Sequence, residues 1–337
     1  PVPIAALATA RGEAALALVR ASGAGSIELA ASCFSRPEAL RGARGRSLVH
    51  GQLVDPASGK PVDEVLVSVF RAPSSPTGED QVEISMHGSP AVTRRALEVL
   101  EAAGFAPALP GEFSFRAFVN GKTDLVRAEA MNDLVRARSE GARAEALALL
   151  SGGLSRRIAA AREELLALIA AVELRLDYGE DEAGEEFDAG RVESLRDGLE
   201  ALSKSYAIGR VYKEGLRAVL AGPVNAGKSS LFNLFLREER SIVSPIPGTT
   251  RDYIEAEVEI GGVSVRLFDT AGLRESGDSV EAEGVARSRR VLADADIVIY
   301  LVDASAPLDL PSAGEGAPAG AIFVLNKIDA LSSPPPP

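Results

Sequence analysis

The sequence predicts an α/β multidomain protein: an N-terminal α/β domain, a domain of long helices, and a domain whose parallel sheet is flanked by helices. Three observations predict this division. The hydrophobic pattern changes character twice, near residues 118 and 214. A glycine-rich run, GPVNAGKS from Gly222 to Ser229, stands between a strand-like and a helix-like segment. The last third of the chain repeats apolar strand-like runs separated by helix-like stretches. Its 337 residues accommodate two or three domains at roughly 150 residues each, every one large enough to bury a core.

In residues 1–118 short apolar runs alternate with turn residues: PIAALAT, ALALVRASG, VDEVLVSVFRAP and QVEISMHG, followed by the helix-like AVTRRALEVLEAAG. Short runs of that kind are strands, so this segment reads as a mixed α/β domain. From Thr123 to about Ser205 glycine thins out, and Met131, Leu134, Leu147, Leu150, Leu154, Ile158, Leu165, Ile169, Val172 and Leu176 recur at helical spacings. Long helices packed on one apolar stripe are therefore expected within residues 119–213, the first half of a helical domain. The acidic run GEDEAGEEFDAG interrupts them before a further helix carrying Val192, Leu195, Leu199 and Leu202. No His or Cys stands among those acids, so the run reads as a solvated turn rather than a metal site.

Residues 214–337 carry the buried-type strands LRAVLA, VSVRLFD, IVIYLVD and AIFVLN, the pattern of a parallel sheet with helical crossovers. Ser305 to Gly320, rich in Ala, Pro and Gly, reads as a mobile surface loop. The chain stops at SSPPPP soon after the fourth strand. Such a domain needs at least one more strand and helix, so its C-terminal part is expected to be missing.

Composition narrows the setting. The single cysteine, Cys33, cannot form an internal disulfide, and no signal-peptide pattern opens the sequence, which predicts a reducing, cytoplasmic home. No apolar run is long enough to cross a bilayer, since even the stretch from Leu165 to Leu176 carries Glu173 and Arg175. The formal charge of −12 repels a phosphate backbone overall, so any nucleic-acid contact must be local or shared with a partner.

GPVNAGKS matches G-x-x-x-x-G-K-[ST] in full and lies between the strand LRAVLA and the helical SLFNLFL. Gly222 and Gly227 let the backbone turn its N–H groups onto phosphate oxygens, Asn225, Ala226 and Ser230 belong to the same nucleotide-binding run, Lys228 reaches the terminal phosphates, and the Ser229 hydroxyl can ligate Mg²⁺. In DTAG, after VSVRLF, Asp269 can hold Mg²⁺ through water, while Thr270, Ala271 and Gly272 lie beside the γ-phosphate. NKID, after AIFVL, decides the base, with Asn326 and Lys327 leading to Asp329. The Asp329 carboxylate can accept two hydrogen bonds from guanine N1–H and its amine, whereas adenine has no donor at N1, so GTP is expected over ATP. Between them, GTTRD carries Gly248, Thr249 and Thr250, and Thr250 is a candidate second Mg²⁺ ligand in a loop ordered by the γ-phosphate. Leu273 follows DTAG where Ras-like proteins use a water-positioning glutamine, so water activation must come from elsewhere.

Taken with TGED (Thr77 to Asp80), PGEFSFRAFVNGK (Pro110 to Lys122), NAGKSSL, PGTTRD and DTAGLRE, these motifs make the chain resemble, over essentially its whole length, the tRNA-modification GTPase family MnmE, also called TrmE. The resemblance implies a homodimer built on a folate-binding N-terminal domain, with a P-loop GTPase domain inserted in the helical one. It implies that the flavoprotein MnmG (GidA) is the partner and that carbon 5 of the wobble uridine of certain tRNAs is modified, using 5,10-methylene- or 5-formyl-tetrahydrofolate. It assigns K⁺ to Asn225, Ser244, Ile246 and Thr249, where the cation can replace an arginine finger. It assigns the water-orienting role to Glu281 in SVEAEG, which read alone is a solvated helix residue. The folate contacts fall on Arg20, Glu83 and Lys122, a basic group for the folate carboxylate and an acid for the pterin amine. His50 and His87 have no metal-ligand spacing and read as structural.

The family's Cys-x-Gly-Lys tail and Ser-Ala-Lys loop have no counterpart here, and Cys33, in the helix-like SIELAASCF, does not replace that cysteine. Two other functions remain open on the residues: a regulatory or ribosome-assembly GTPase switch, and a folate-dependent aminomethyl transferase. PGEFSFRAFVNGK with Arg20 and Glu83 separates the first of these from a folate-using enzyme.

Overall fold

The computed structural model describes residues 2–178, 188–238, 254–269, 294–306 and 320–331, and the chain divides into two compact units, Pro1–Ala128 and Glu129–Pro337. In the first, β1 (Ile4–Leu7), β2 (Ala14–Ser22), β3 (Ser47–Val54), β4 (Pro61–Phe70), β5 (Gln81–Gly88) and β6 (Ala106–Pro107) form one sheet in the order β3-β4-β5-β2-β1-β6. All pairs are antiparallel except β1 with β6. Period-two alternation sends Val19, Val67, Val69, Val82, Ile84 and Met86 to one face. There they pack with residues of α1 (Ser26–Ser32) and α3 (Pro90–Ala103), including Ala30, Ala31, Ala96, Val99 and Leu100.

The alternate residues Arg20, Ser22, Gln81 and Glu83 leave the other face, and their strands set Arg20 opposite Glu83 and Ser22 opposite Gln81. The start of α3 follows from its sequence. The Ser89 hydroxyl caps the Ala91 N–H at 3.3 Å and Pro90 occupies the first turn, where its missing N–H costs nothing. Two further helices, α2 (Pro37–Arg41) and α4 (Glu112–Val119), complete this unit's body. Cys33 ends α1 fully buried, and burial pushes its thiol up to about 11, so it is an inert core residue. His50 and His87 each pair with a carboxylate of β4, Glu64 at 2.7 Å and Asp63 at 2.8 Å.

The second unit begins within α5 (Leu125–Arg136) and continues through α6 (Glu140–Leu150), α7 (Gly153–Tyr178) and α8 (Ala189–Glu214). The expected long helices are present, and among the described residues their apolar stripe is covered in part. Leu168 is buried, yet Met131, Leu147, Ile158, Leu165, Ile169, Val172 and Leu176 are all exposed. Among the described residues α8 buries no side chain, although α6, α7 and α8 lie against one another and leave Leu134, Leu150 and Leu154 half-buried. The acidic residues 179–187 lie outside the described residues. Among the described residues no helix is long and apolar enough to cross a membrane.

The helices lead into a five-stranded sheet, β11-β10-β7-β9-β8, formed by β7 (Leu216–Ala221), β8 (Ile254–Ile260), β9 (Val263–Asp269), β10 (Ile297–Asp303) and β11 (Ile322–Asn326). The four strands read from the sequence are parallel. The fifth, β8, was not among them and adds an antiparallel edge to β9 through Gly261 and Gly262, both at positive φ. Its signal is the alternation IEAEVEI followed by Gly-Gly, a hairpin pattern hidden beside parallel strands. Phe232 of α9 (Lys228–Glu238) packs with Ala218, Leu220, Leu267 and Leu301 of the sheet.

Candidate functional site

The strand ends of the second unit converge on one place. Residues 222–227 leave the C-terminal end of β7 and lead directly into α9, the setting in which open parallel sheets bind ligands. Gly222 (φ 136°) and Gly227 (φ 99°) cannot carry a side chain: a Cβ would strike the Leu301 carbonyl oxygen at the first and the Asn326 amide at the second. Asn225 adopts the left-handed region at φ 65°, which lets consecutive amides face inward. Lys228 is buried, and its ammonium donates to the Gly222 and Pro223 carbonyl oxygens at 3.0 and 2.7 Å. The cation is thereby held in the mouth of the loop it serves.

The Ser229 hydroxyl donates to the Asp269 carboxylate at 2.9 Å, and Asp269 is buried at the end of β9. Two hard oxygen donors thus share one point beside the loop, a donor set that fits Mg²⁺. Asn326 donates its amide to the Ala226 carbonyl at 2.8 Å and so ties the end of β11 to the phosphate loop. Lys327, at φ 59°, places its ammonium 2.6 Å from Asp303 at the end of β10. Asp303 also accepts from the Ser305 N–H and hydroxyl. The Lys327 hydrogen bond, with help from Ser305, holds the Asp303 carboxyl down at about 2. Asp329 lies exposed in the short 3-10 turn Ile328–Ala330.

Of the sequence-read residues, the structure gathers Gly222, Asn225, Ala226, Gly227, Lys228, Ser229, Ser230, Asp269, Asn326, Lys327 and Asp329 at the C-terminal edge of this sheet. Ser244, Ile246, Gly248, Thr249, Thr250, Thr270, Ala271, Gly272 and Glu281 lie outside the described residues. Asp303 was not singled out from the sequence. Its signal was a carboxylate closing the strand IVIYLVD, level with Asn326 of the next strand.

In the first unit the polar face carries a second cluster. Arg20 pairs with Glu83 at 2.8 Å and lies over the Phe113 ring, 5.7 Å from its centroid. Gln81 also donates to Glu83, at 3.2 Å. Behind them, the fully buried Ser22 bonds Thr77 at 2.7 Å and donates to Glu79 at 2.9 Å. Arg116 bridges Glu79 and Glu112. Lys122 reaches the same turn from the end of PGEFSFRAFVNGK: a Cβ on Gly78 would lie 3.3 Å from its side chain and 2.9 Å from that of Asn120, which donates to the Thr77 carbonyl. Arg20 and Glu83 thus form one ion pair on the polar face, and Lys122 lies beside Gly78 of TGED. The sequence reading missed Ser22, Gln81 and Arg116. Arg116 stood within a quoted motif, but a buried arginine reveals itself only when its carboxylates are found.

Family models match segments of both units. A family described as "GTP-binding protein TrmE N-terminus" matches residues 3–122, and one described as "50S ribosome-binding GTPase" matches residues 217–327. Proteins named tRNA modification GTPase MnmE are similar along most of the chain. That of Treponema denticola is 45% identical, covering 98% of this chain and 72% of its own length. That of Thermus thermophilus is 47% identical, covering 92% and 71%, and that of Chlorobium chlorochromatii 45%, covering 98% and 73%.

Proposed function

The chain belongs to the tRNA modification GTPase MnmE family, and from that premise we propose that it is a GTP hydrolase whose turnover serves modification of carbon 5 of the wobble uridine in certain tRNAs. The observation that carries the reading is a phosphate loop joined to both other motif strands, through Ser229 to Asp269 and through Ala226 to Asn326.

Each residue has a definite task. The loop amides from Gly222 to Ser230 and the Lys228 ammonium receive the phosphates, Lys228 exchanging two backbone carbonyls for phosphate oxygens. Ser229, Asp269 and Thr250 would hold Mg²⁺, which would supply positive charge to the phosphate oxygens. Asp329 accepts from guanine N1–H and its amine, on a turn fixed by the Lys327 and Asn326 contacts. K⁺ is held by Asn225, Ser244, Ile246 and Thr249, and Glu281 orients the attacking water because Leu273 cannot. Glu281→Ala should keep GTP affinity and lose about a hundredfold in turnover.

Residues 1–118 form the folate-binding and dimerisation domain, residues 119–213 the first half of the helical domain, and residues 214–337 the G domain. Arg20, Glu83 and Lys122 take the tetrahydrofolate, and what supports this is the Arg20–Glu83 pair on the polar face of the sheet and the approach of Lys122 to Gly78 of TGED. The partner is the flavoprotein MnmG, acting with a homodimer of this chain in the cytoplasm. The experiment is a wobble-uridine modification assay with tRNA, GTP, K⁺ and reduced folate, run with and without the flavoprotein. Modification should require the partner, and Arg20→Ala should abolish folate binding while GTP affinity stays the same. GTP hydrolysis without modification under every condition would leave only a switch.

A further inference from the structure

We propose that the second unit holds another anion site, for a phosphate-bearing small molecule of about nucleotide size, at the opposite end of the sheet from the phosphate loop. The site is a cavity of about 890 Å³ where β7 begins, walled by the ends of α5 and α8 and by β8 and β9. That volume lies within the range of small-molecule sites. Six basic and four acidic side chains line it; Arg138, Arg210 and Lys213 are paired, with Glu257, with Glu214, and with Glu129 and Asp133, so the cations that bear on a ligand are Arg136, Arg217 and Arg266.

The arrangement of those charges is the argument. Arg217 of β7 and Arg266 of β9 stand at the same register on adjacent parallel strands. Their side chains leave one face of the sheet, with backbones about 4.8 Å apart, and like charges so placed repel. The carboxylates beside them are spent elsewhere. Glu257, the register partner of Arg266 on β8, is paired with Arg138 at 2.6 Å and accepts from Ser264 at 2.6 Å. Asp296 accepts the backbone N–H of Arg217 at 2.8 Å. Among the described residues the guanidinium groups of Arg217 and Arg266 have no ion-pair or hydrogen-bond partner, and neither has that of Arg136 in the facing wall.

A sheet that sets two arginines side by side and diverts their neighbouring acids pays electrostatic energy that a bound anion returns. Guanidinium forks match phosphate oxygens two at a time. Single-stranded nucleic acid is tracked by open grooves with aromatic platforms. Here Tyr212 is the single aromatic side chain in the lining, so a stacking platform for successive bases is lacking and a compact ligand is favoured.

The test uses the whole chain saturated with GDP, so that the phosphate loop is filled, without added Mg²⁺ that a polyphosphate would chelate. Calorimetric titration with inorganic tripolyphosphate at fixed ionic strength should show one equivalent bound. Replacing both arginines, Arg217→Gln with Arg266→Gln, should weaken it at least about tenfold, the scale of losing charged hydrogen bonds. GDP affinity should not change, and without tripolyphosphate the melting temperature should not fall, since the repulsion between the two arginines is gone. Arg136→Gln, at an exposed helix end, should also weaken binding, and it carries the test if the double variant fails to fold. No saturable binding at millimolar tripolyphosphate, or equal binding by the variants, overturns the proposal. If the arginine changes weaken tRNA binding and leave tripolyphosphate unaffected, the cavity is an RNA contact and the small-ligand assignment falls.

Discussion

The proposed reading of guanine rests on one side chain, Asp329. Its carboxylate is exposed on a turn whose neighbours Asn326 and Lys327 are each fixed by a hydrogen bond, so substitution there changes what is read without moving the reader. Asp329→Asn should weaken GTP by about 2–4 kcal/mol, roughly thirty- to a thousandfold, and improve xanthosine triphosphate, whose base offers a carbonyl where guanine has the amine. Equilibrium binding of the two nucleotides checks this, and an unchanged preference removes the assignment. Asp303 carries a prediction of another kind. Its folded value is about 2 against an ordinary 3.8, so the folded state holds its proton less tightly than the unfolded chain does. The Lys327 and Ser305 contacts therefore stabilise fully above pH about 4, and that contribution is lost as pH falls through about 2. Asp303→Asn should lower stability at neutral pH, and the gap from the parent should close across that acid window in denaturant titrations. The motif residues were legible one by one, because a phosphate loop is a local pattern. Asp303 was not, because its meaning depends on a lysine just beyond the end of the neighbouring strand.

Elements record the same contrast over longer stretches. The start of α3 is written in Ser-Pro, and Ser89→Ala should cost about 0.5–2 kcal/mol by removing the cap of the Ala91 N–H. Circular dichroism through a urea transition is the measurement, since the chain has no tryptophan. An unchanged midpoint would mean that solvent replaces the cap at no cost. The strands β7, β9, β10 and β11 could be read because strands buried on both faces are continuous apolar runs. The edge strand β8 escaped because it alternates with Glu255, Glu257 and Glu259 and pairs antiparallel. The long helices were legible by spacing, yet their exposed Ile169 and Leu176 show that spacing names an apolar face without naming what lies against it.

At the scale of the whole molecule the reading joins a nucleotide site in one unit to a polar cluster in the other. If K⁺ takes the place of an arginine finger beside Asn225, hydrolysis should be at least about tenfold faster in K⁺ than in Na⁺ at matched ionic strength, a modest share of what such a finger supplies. Phosphate-release rates in the two salts decide it; equal rates, or an Asn225→Ala variant that keeps its response, remove the cation from the mechanism. By itself the sequence determined the order of α/β, helical and nucleotide segments, the residues of the phosphate loop and the family. Each of these is carried by contiguous residues, whose periodicity and backbone demands are local. Only the tertiary structure decided that Ser229 meets Asp269 forty residues on, that Arg116 lies between Glu79 and Glu112, and that Arg217 and Arg266 stand side by side with their acids turned away. Strand register and side-chain pairing set those contacts, and both arise when distant segments pack together, which no local pattern encodes.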